Sequence, residues 1–365
     1  MLAFVIFLGL ICTYMIFAVY LERKISAFIQ DRLGPMEVGY YGIGQTVADL
    51  LKLLMKEDIV PINADRKIFL VAPVIIFASV FAGFATLPLS PDIIGSHAEV
   101  GVFYLLTIIS FDVVGLLLAG WGSNNKFSVL GAMRAVAQII SYEIPLSLTV
   151  VSVVMISQTL DLQMISFQQG IHIQGIPDYE SNYLFGLKLL GINVTDLGGI
   201  FSWNIFRMPL FFLAYLIFFI CSLAECNRAP FDIPEAESEL VAGFHTEYSG
   251  FRWAFLFLAE YAMMLLMAAL GVILFLGSWN TVLPNIGSVR LADWTSGMPG
   301  TISGNLWGAF WLLSKTFTVI VLQMFIRWTY PRLRPDQLMY LSWKVLTPAA
   351  LLIVLISGVW RLLMI

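Results

Sequence analysis

Eight runs of about twenty mostly apolar residues divide this sequence, near 1–21, 68–87, 102–121, 139–158, 208–226, 251–276, 307–327 and 341–360. Each is long enough to cross the hydrocarbon of a bilayer as a helix. Only 12% of the residues are charged and 59% are hydrophobic, and the mean hydropathy is +0.86. A soluble domain carries about twice that charged fraction. The expected fold is therefore an all-α polytopic membrane protein with about eight transmembrane helices, residues 1–365 forming a single membrane domain. The first run lacks a basic leader and a small-residue cleavage site, so it reads as a span rather than a signal peptide.

Cations orient these spans. Arg23, Lys24, Arg32, Lys52, Lys56, Arg66 and Lys67 lie between the first two, and Lys126 and Arg134 follow the third. Arg228 and Arg252 border the loop after the fifth, and Arg327, Arg332, Arg334 and Lys344 follow the seventh. The opposite side holds Lys188, Arg207, Arg290 and Arg361. Positive residues stay on the cytoplasmic side, which makes 22–67, 122–138, 227–250 and 328–340 the inner loops. The two long outer loops, 159–207 and 277–306, show no chemistry of their own. A net charge of −4 gives no reason to expect a nucleic-acid partner. Cys12, Cys221 and Cys226 lack metal-ligand spacing, and His97, His172 and His245 are scattered, so no metal site is expected.

The inner loop 227–250 is the most acidic. From Glu225 it holds Asp232, Glu235, Glu237, Glu239 and Glu247 against one cation, Arg228. Pro230 ends the preceding helix, because it lacks a donor and clashes with the turn before it. Asp232 can cap a new helix with Pro234 at its first position. Glu235 and Glu239 would then share a face, where like charges repel unless some hold protons. The plain alternative is a solvated acidic loop.

Further ionisable groups fall in or beside the spans. Glu143 precedes Pro145, which removes a backbone donor and disfavours helix at Ile144. Asp112, Glu225, Glu260 and Lys315 complete the set, each costly in a membrane and so a candidate for function. Static ion pairs are the plain alternative, although buried pairs are weak evidence of stability. In the first inner loop Val47, Leu50, Leu51, Leu54 and Met55 form a helical stripe too short to span, which fits a short interfacial amphipathic helix. Its basic residues suit anionic headgroups, or it walls a path for an amphipathic ligand.

The words Arg228-Ala-Pro-Phe-Asp-Ile-Pro-Glu-Ala-Glu-Ser-Glu-Leu-Val-Ala-Gly243 and Glu247-Tyr-Ser-Gly250 resemble the signature of the NADH dehydrogenase subunit 1 family, the H-type membrane subunits of respiratory complex I. Arg134-Ala-Val-Ala-Gln138, Ser141-Tyr-Glu143, Arg334-Pro-Asp-Gln-Leu-Met339 and Trp343-Lys344 resemble it too. The resemblance runs from Leu21 to about Pro348 and is poor in the outer loops. After Gly34-Pro35 this chain has Met36-Glu37 where the family usually has Asn.

The resemblance implies a quinone-access channel using Glu22, Arg23, Phe28, Asp49, Lys52, Arg228, Phe231 and Asp232. It implies a proton path through Asp112, Glu143, Glu225, Glu235, Glu237, Glu239, Glu247, Glu260 and Lys315. Quinone would be the substrate, with no cofactor bound by this chain alone and an iron–sulfur cluster in a neighbouring subunit. The implied partners are the peripheral-arm subunits, the small and antiporter-like membrane subunits and the lipid bilayer, and the implied location is the bacterial plasma membrane. The rivals are a secondary transporter, a bare membrane anchor and an ion-transporting subunit of a related membrane-bound hydrogenase. Transporters often show two repeated halves, absent here, and an anchor leaves the buried carboxyls unexplained. The hydrogenase protein shares the Pro-Glu-Ala-Glu type word, but Glu-Tyr-Ser-Gly and Ser-Asn-Asn-Lys favour the quinone enzyme.

Overall fold

The computed structural model describes residues 2–171, 183–187, 191, 193–234, 237–286 and 289–364. Among the described residues, seven helices are long and apolar enough to cross a membrane, and Phe211–Glu225 is a shorter apolar helix. In chain order the helices begin with α1 (Leu2–Ile29), α2 (Gln45–Met55), α3 (Arg66–Gly83), α4 (Gly101–Gly122) and α5 (Lys126–Ser157). Short helices α6 (Leu162–Phe167), α7 (Val194–Leu197) and α8 (Asn204–Arg207) follow. Then come α9 (Phe211–Glu225), α10 (Glu237–Leu240), α11 (Gly250–Phe275), α12 (Leu291–Thr295) and α13 (Ile302–Thr329). Finally α14 (Pro335–Tyr340) continues through a π-helical turn, Leu341–Leu346, into α15 (Thr347–Met364).

Four expectations change. Helix α1 continues to Ile29, so Glu22, Arg23 and Phe28 stand on a helix rather than in an inner loop. Helix α5 begins at Lys126, where Asn125 caps it by accepting the Phe127 amide, so most of 122–138 is helical. Pro145 does not break α5. The Ser141 carbonyl it leaves without an in-helix partner accepts from the Ser342 hydroxyl at 2.6 Å. The Asp232 carboxylate holds Arg332 at 2.8 Å. The expected helix there is the single turn α10; Glu235 lies outside the described residues.

Helix α11 is the axis of the bundle. It packs against α1, α2, α3, α9 and α13, and most of its residues are buried. Small and flexible residues permit this: Ala259, Ala262, Met263, Met267, Ala268 and Gly271 are all buried. A Cβ on Gly271 would come within 2.8 Å of the Phe218 ring. Helices α3 and α4 approach closely by the same device, with Gly115 against Ile76 and Gly122 against the Phe69 backbone.

Candidate functional site

The middle of α1, the first turns of α11 with Tyr248 and Ser249 before it, and α2 line a cavity of about 570 Å³. Its walls are mainly apolar, including Met15, Ile16, Leu53, Trp253 and Phe257, with Arg23, Asp49, Lys52 and Lys56 as its charged groups. Arg23 donates to Asp49 at 2.5 Å, and Gln45 donates to its other oxygen at 2.9 Å. The amphipathic α2 makes this possible: one face closes the cavity while Val47, Leu51, Leu54 and Met55 stay exposed.

Deeper, Glu22 sits in a charged cluster. One oxygen accepts from Arg327 and, at 3.4 Å, from Arg228; the other accepts from the Tyr261 hydroxyl. The Arg228 guanidinium lies 4.3 Å from the centre of the Tyr261 ring. Trp253, Phe257 and Tyr261 follow at successive turns of α11: Trp253 stacks on Phe257 with centroids 5.1 Å apart, and Tyr261 tilts against Phe257 at 4.9 Å. The first two line the large cavity and the third touches Glu22, so one aromatic edge joins cavity and cluster.

A second, much smaller cavity of about 20 Å³ is lined by Asp112, Glu225 and Glu260 together with Asn227. Three helices, α4, α9 and α11, thus bring three acids round one space. Asp112 Oδ1 and Glu225 Oε2 are buried without a protein hydrogen bond among the described residues. Glu260 meets His245 Nε2 at 3.2 Å. Glu143 accepts from Ser110 Oγ of α4, and Glu225 counts Glu143 and Asp112 as its electrostatic neighbours.

The loop between α9 and α11 is held by residues from every side. Glu247 accepts from Asn125 at 2.6 Å. Tyr248 stacks on Phe69 with centroids 4.2 Å apart and donates to its carbonyl at 3.3 Å, the carbonyl that Pro73 leaves open. Burial raises the Tyr248 phenol well above its usual pKa, so it stays a donor at neutral pH. Ser249 Oγ accepts from the Ile59 amide at 3.1 Å and donates to the Glu57 carbonyl at 3.3 Å. At Gly250, φ +57°, an added Cβ would crowd the carbonyls of Lys56 and Glu57. Four consecutive residues therefore gather α3, α5 and the segment after α2.

Other expected site residues lie elsewhere. Phe28 is 79% exposed and away from the cavity walls. Phe231 is buried edge-on against Tyr142, 5.2 Å between centroids. Glu239 pairs with Arg134 at 2.6 Å. The side chain of Glu237 lies outside the described residues, as does Glu235. Lys315 donates to the carbonyls of Leu276, Ser278 and Asn280 at 2.8, 3.0 and 2.6 Å and lies 4.3 Å from the Trp203 ring centre. Sequence reasoning passes over Tyr261, His245 and Tyr248 and reads Arg327 as an orienting cation. For Tyr261 a signal existed, namely the aromatic spacing Trp253, Phe257, Tyr261 along one helix face.

The fold and its interior define a polytopic helical membrane protein with ionisable side chains gathered between its spans. The NADH dehydrogenase family model matches residues 2–358. The second H-type subunit of NADH-quinone oxidoreductase in Cytophaga hutchinsonii is 66% identical over 97% of this chain and 96% of its own length. The H-type subunit of Chlorobium luteolum is 50% identical over 95% of this chain and 84% of its own length, and that of a Geobacillus species 40% over 97% and 93%. The chain belongs to the NADH dehydrogenase family, the H-type subunits of NADH-quinone oxidoreductase.

Proposed function

We propose that this chain shapes the path by which quinone enters a complex I type enzyme from the bilayer, and that it passes the consequence of quinone reduction to protons. The observation that carries this reading is the 570 Å³ cavity between α1, α2 and α11. It is apolar enough for an isoprenoid tail and has Arg23, Asp49 and Lys52 for a polar head. The aromatic edge leads from it to Glu22, Arg228 and Arg327. A quinone that gains electrons there takes up protons, and a change of charge beside Glu22 acts on the nearby acids through a medium of low dielectric. Asp112, Glu225, Glu260 and Glu143 are the carriers, with Glu247 and the acidic residues Glu235, Glu237 and Glu239 as the link. The small cavity has room for about one water between three of them. Lys315, engaged by backbone carbonyls, stands outside this set.

The electrons come from an iron–sulfur cluster in a peripheral-arm subunit, and the protons leave toward small and antiporter-like membrane subunits in the bacterial plasma membrane. The test is a plug in the cavity. Leu50→Trp on α2 should lower turnover with a long-tailed quinone by about tenfold, a barrier of about 1.4 kcal/mol. Turnover with a short-tailed, water-soluble analogue should change far less. Equal loss for both quinones, in complex assembled at normal levels, would place the path elsewhere.

A further inference from the structure

We propose that Ser342 is a positioning residue for Glu143, its hydroxyl standing in for the amide hydrogen that Pro145 removes from α5. The inference rests on the reading of Glu143 as a proton carrier. Proline has no backbone donor, so the carbonyl four residues earlier loses its helical partner. That carbonyl belongs to Ser141, two residues before Glu143. It accepts from Ser342 Oγ at 2.6 Å, and Ser342 is fully buried.

The contact is one of four between the same two segments, Ser141 Oγ to Met339 Sδ at 3.4 Å among them. Trp343 Nε1 donates to Ser141 Oγ at 3.3 Å, and that hydroxyl donates in turn to the Ala137 carbonyl at 2.7 Å. Tyr142 donates to the Leu338 carbonyl at 3.0 Å. Residues 141 and 142 are thus fastened to 338–343 immediately before Glu143, whose carboxylate is fixed on its far side by Ser110. Ser342 and Trp343 stand in the π-helical turn Leu341–Leu346. Such turns re-aim side chains and occur often at functional sites. Here the wider turn presents the hydroxyl and the indole to α5 together.

The same C-terminal segment also holds the kinked loop: the Leu333 amide donates to the Pro230 carbonyl at 3.1 Å, and Arg332 pairs with Asp232. The loop and Glu143 therefore share one support. Pro73 of α3 meets the same loss through Tyr248, which shows that a side-chain donor is a workable substitute. At Pro145 the substitute stands beside a carboxylate, where a shift of the backbone moves a carrier.

The test is a mutant cycle in the intact complex in its own membranes, with proton pumping and quinone turnover measured per assembled complex. Ser342→Ala should lower proton-coupled turnover about fivefold to tenfold, the range of one buried hydrogen bond lost unreplaced. In a Pro145→Ala background, position 145 supplies its own amide hydrogen, and the same Ser342→Ala change should then cost less than about twofold. A role in packing alone gives the same loss in both backgrounds and overturns the inference, as does full activity of the single variant. Should Ser342→Ala fail to assemble, Ser342→Cys, a weaker donor of similar size, is compared across the two backgrounds by the same criterion. Glu143→Gln separates the two readings. Unchanged proton pumping with it overturns the proton path and this inference together. Loss with it, joined to background-independent loss at Ser342, overturns this inference alone.

Discussion

Lys315 illustrates how a single buried charge can be read two ways. In sequence it is one of several ionisable groups inside a span, and each such group is costly enough to suggest a task. In the structure its ammonium sits at the end of α11, taking the carbonyl of the capping residue Leu276 and those of Ser278 and Asn280 just beyond it. A helix end leaves its last carbonyls without partners, and a cation there also suits the helix dipole. Neighbours complete the work: Gln169 donates to Ile273 O and Asn204 to Leu274 O, each at 2.8 Å. Lys315→Met should therefore reduce the amount of assembled complex, since each buried acceptor left open costs about 1–3 kcal/mol. Turnover per assembled complex should stay near normal. Native gels quantify the first and quinone reduction the second; normal assembly with collapsed turnover would return Lys315 to the proton path. Asp112, Glu143, Glu225 and Glu260 were legible as a set because composition alone marks an acid in an apolar run. Their partners were not. His245 reaches Glu260 across fifteen residues, and Arg327 reaches Glu22 across 305, and no local pattern announces either contact.

Among the elements, α2 was the most legible and the stretch around α10 the least. The stripe of Val47, Leu50, Leu51, Leu54 and Met55 repeats with helical period, and the helix Gln45–Met55 follows it. The acidic stretch offered Asp232 and Pro234 as a helix start, but the described helix there is the single turn Glu237–Leu240, and the Asp232 carboxylate holds Arg332. That ion pair joins residues one hundred positions apart, and local rules cannot foresee it. The end of α2 depends on Gly250 in a comparable way. At φ +57° a Cβ is strained, and one there would lie 3.1 Å from the Lys56 carbonyl and 3.3 Å from that of Glu57. Gly250→Ala should cost about 1–3 kcal/mol locally and loosen the segment that Ser249 ties down. Hydrogen exchange in residues 45–65 of the assembled complex should speed up while the rest of the chain keeps its protection. Unchanged exchange there would show that α2 is held from elsewhere.

For the whole molecule, the class was readable because the hydrocarbon thickness sets a length that apolar runs must match; among the described residues seven helices reach that length where eight runs led one to expect eight, the fifth being the shorter α9. Their arrangement was not, because apolar faces look alike to lipid and to protein. The helix nearest the axis, α11, is one of the last to be made. A ribosome delivers α1, α3, α4, α5 and α9 to the membrane before the first residue of α11 appears. Those earlier spans have surfaces shaped for a helix that has not yet arrived, so they must wait in an open arc. A chain truncated after residue 249 should accordingly be degraded quickly in the membrane, and one extended through residue 276 should survive markedly longer. Pulse–chase labelling of the two truncations measures this, and equal lifetimes would mean that the arc closes without its axis. In biosynthetic terms the chain carries an unfilled slot through most of its translation, and an insertase or chaperone that shields polar groups within lipid has its most exposed client just before α11 emerges.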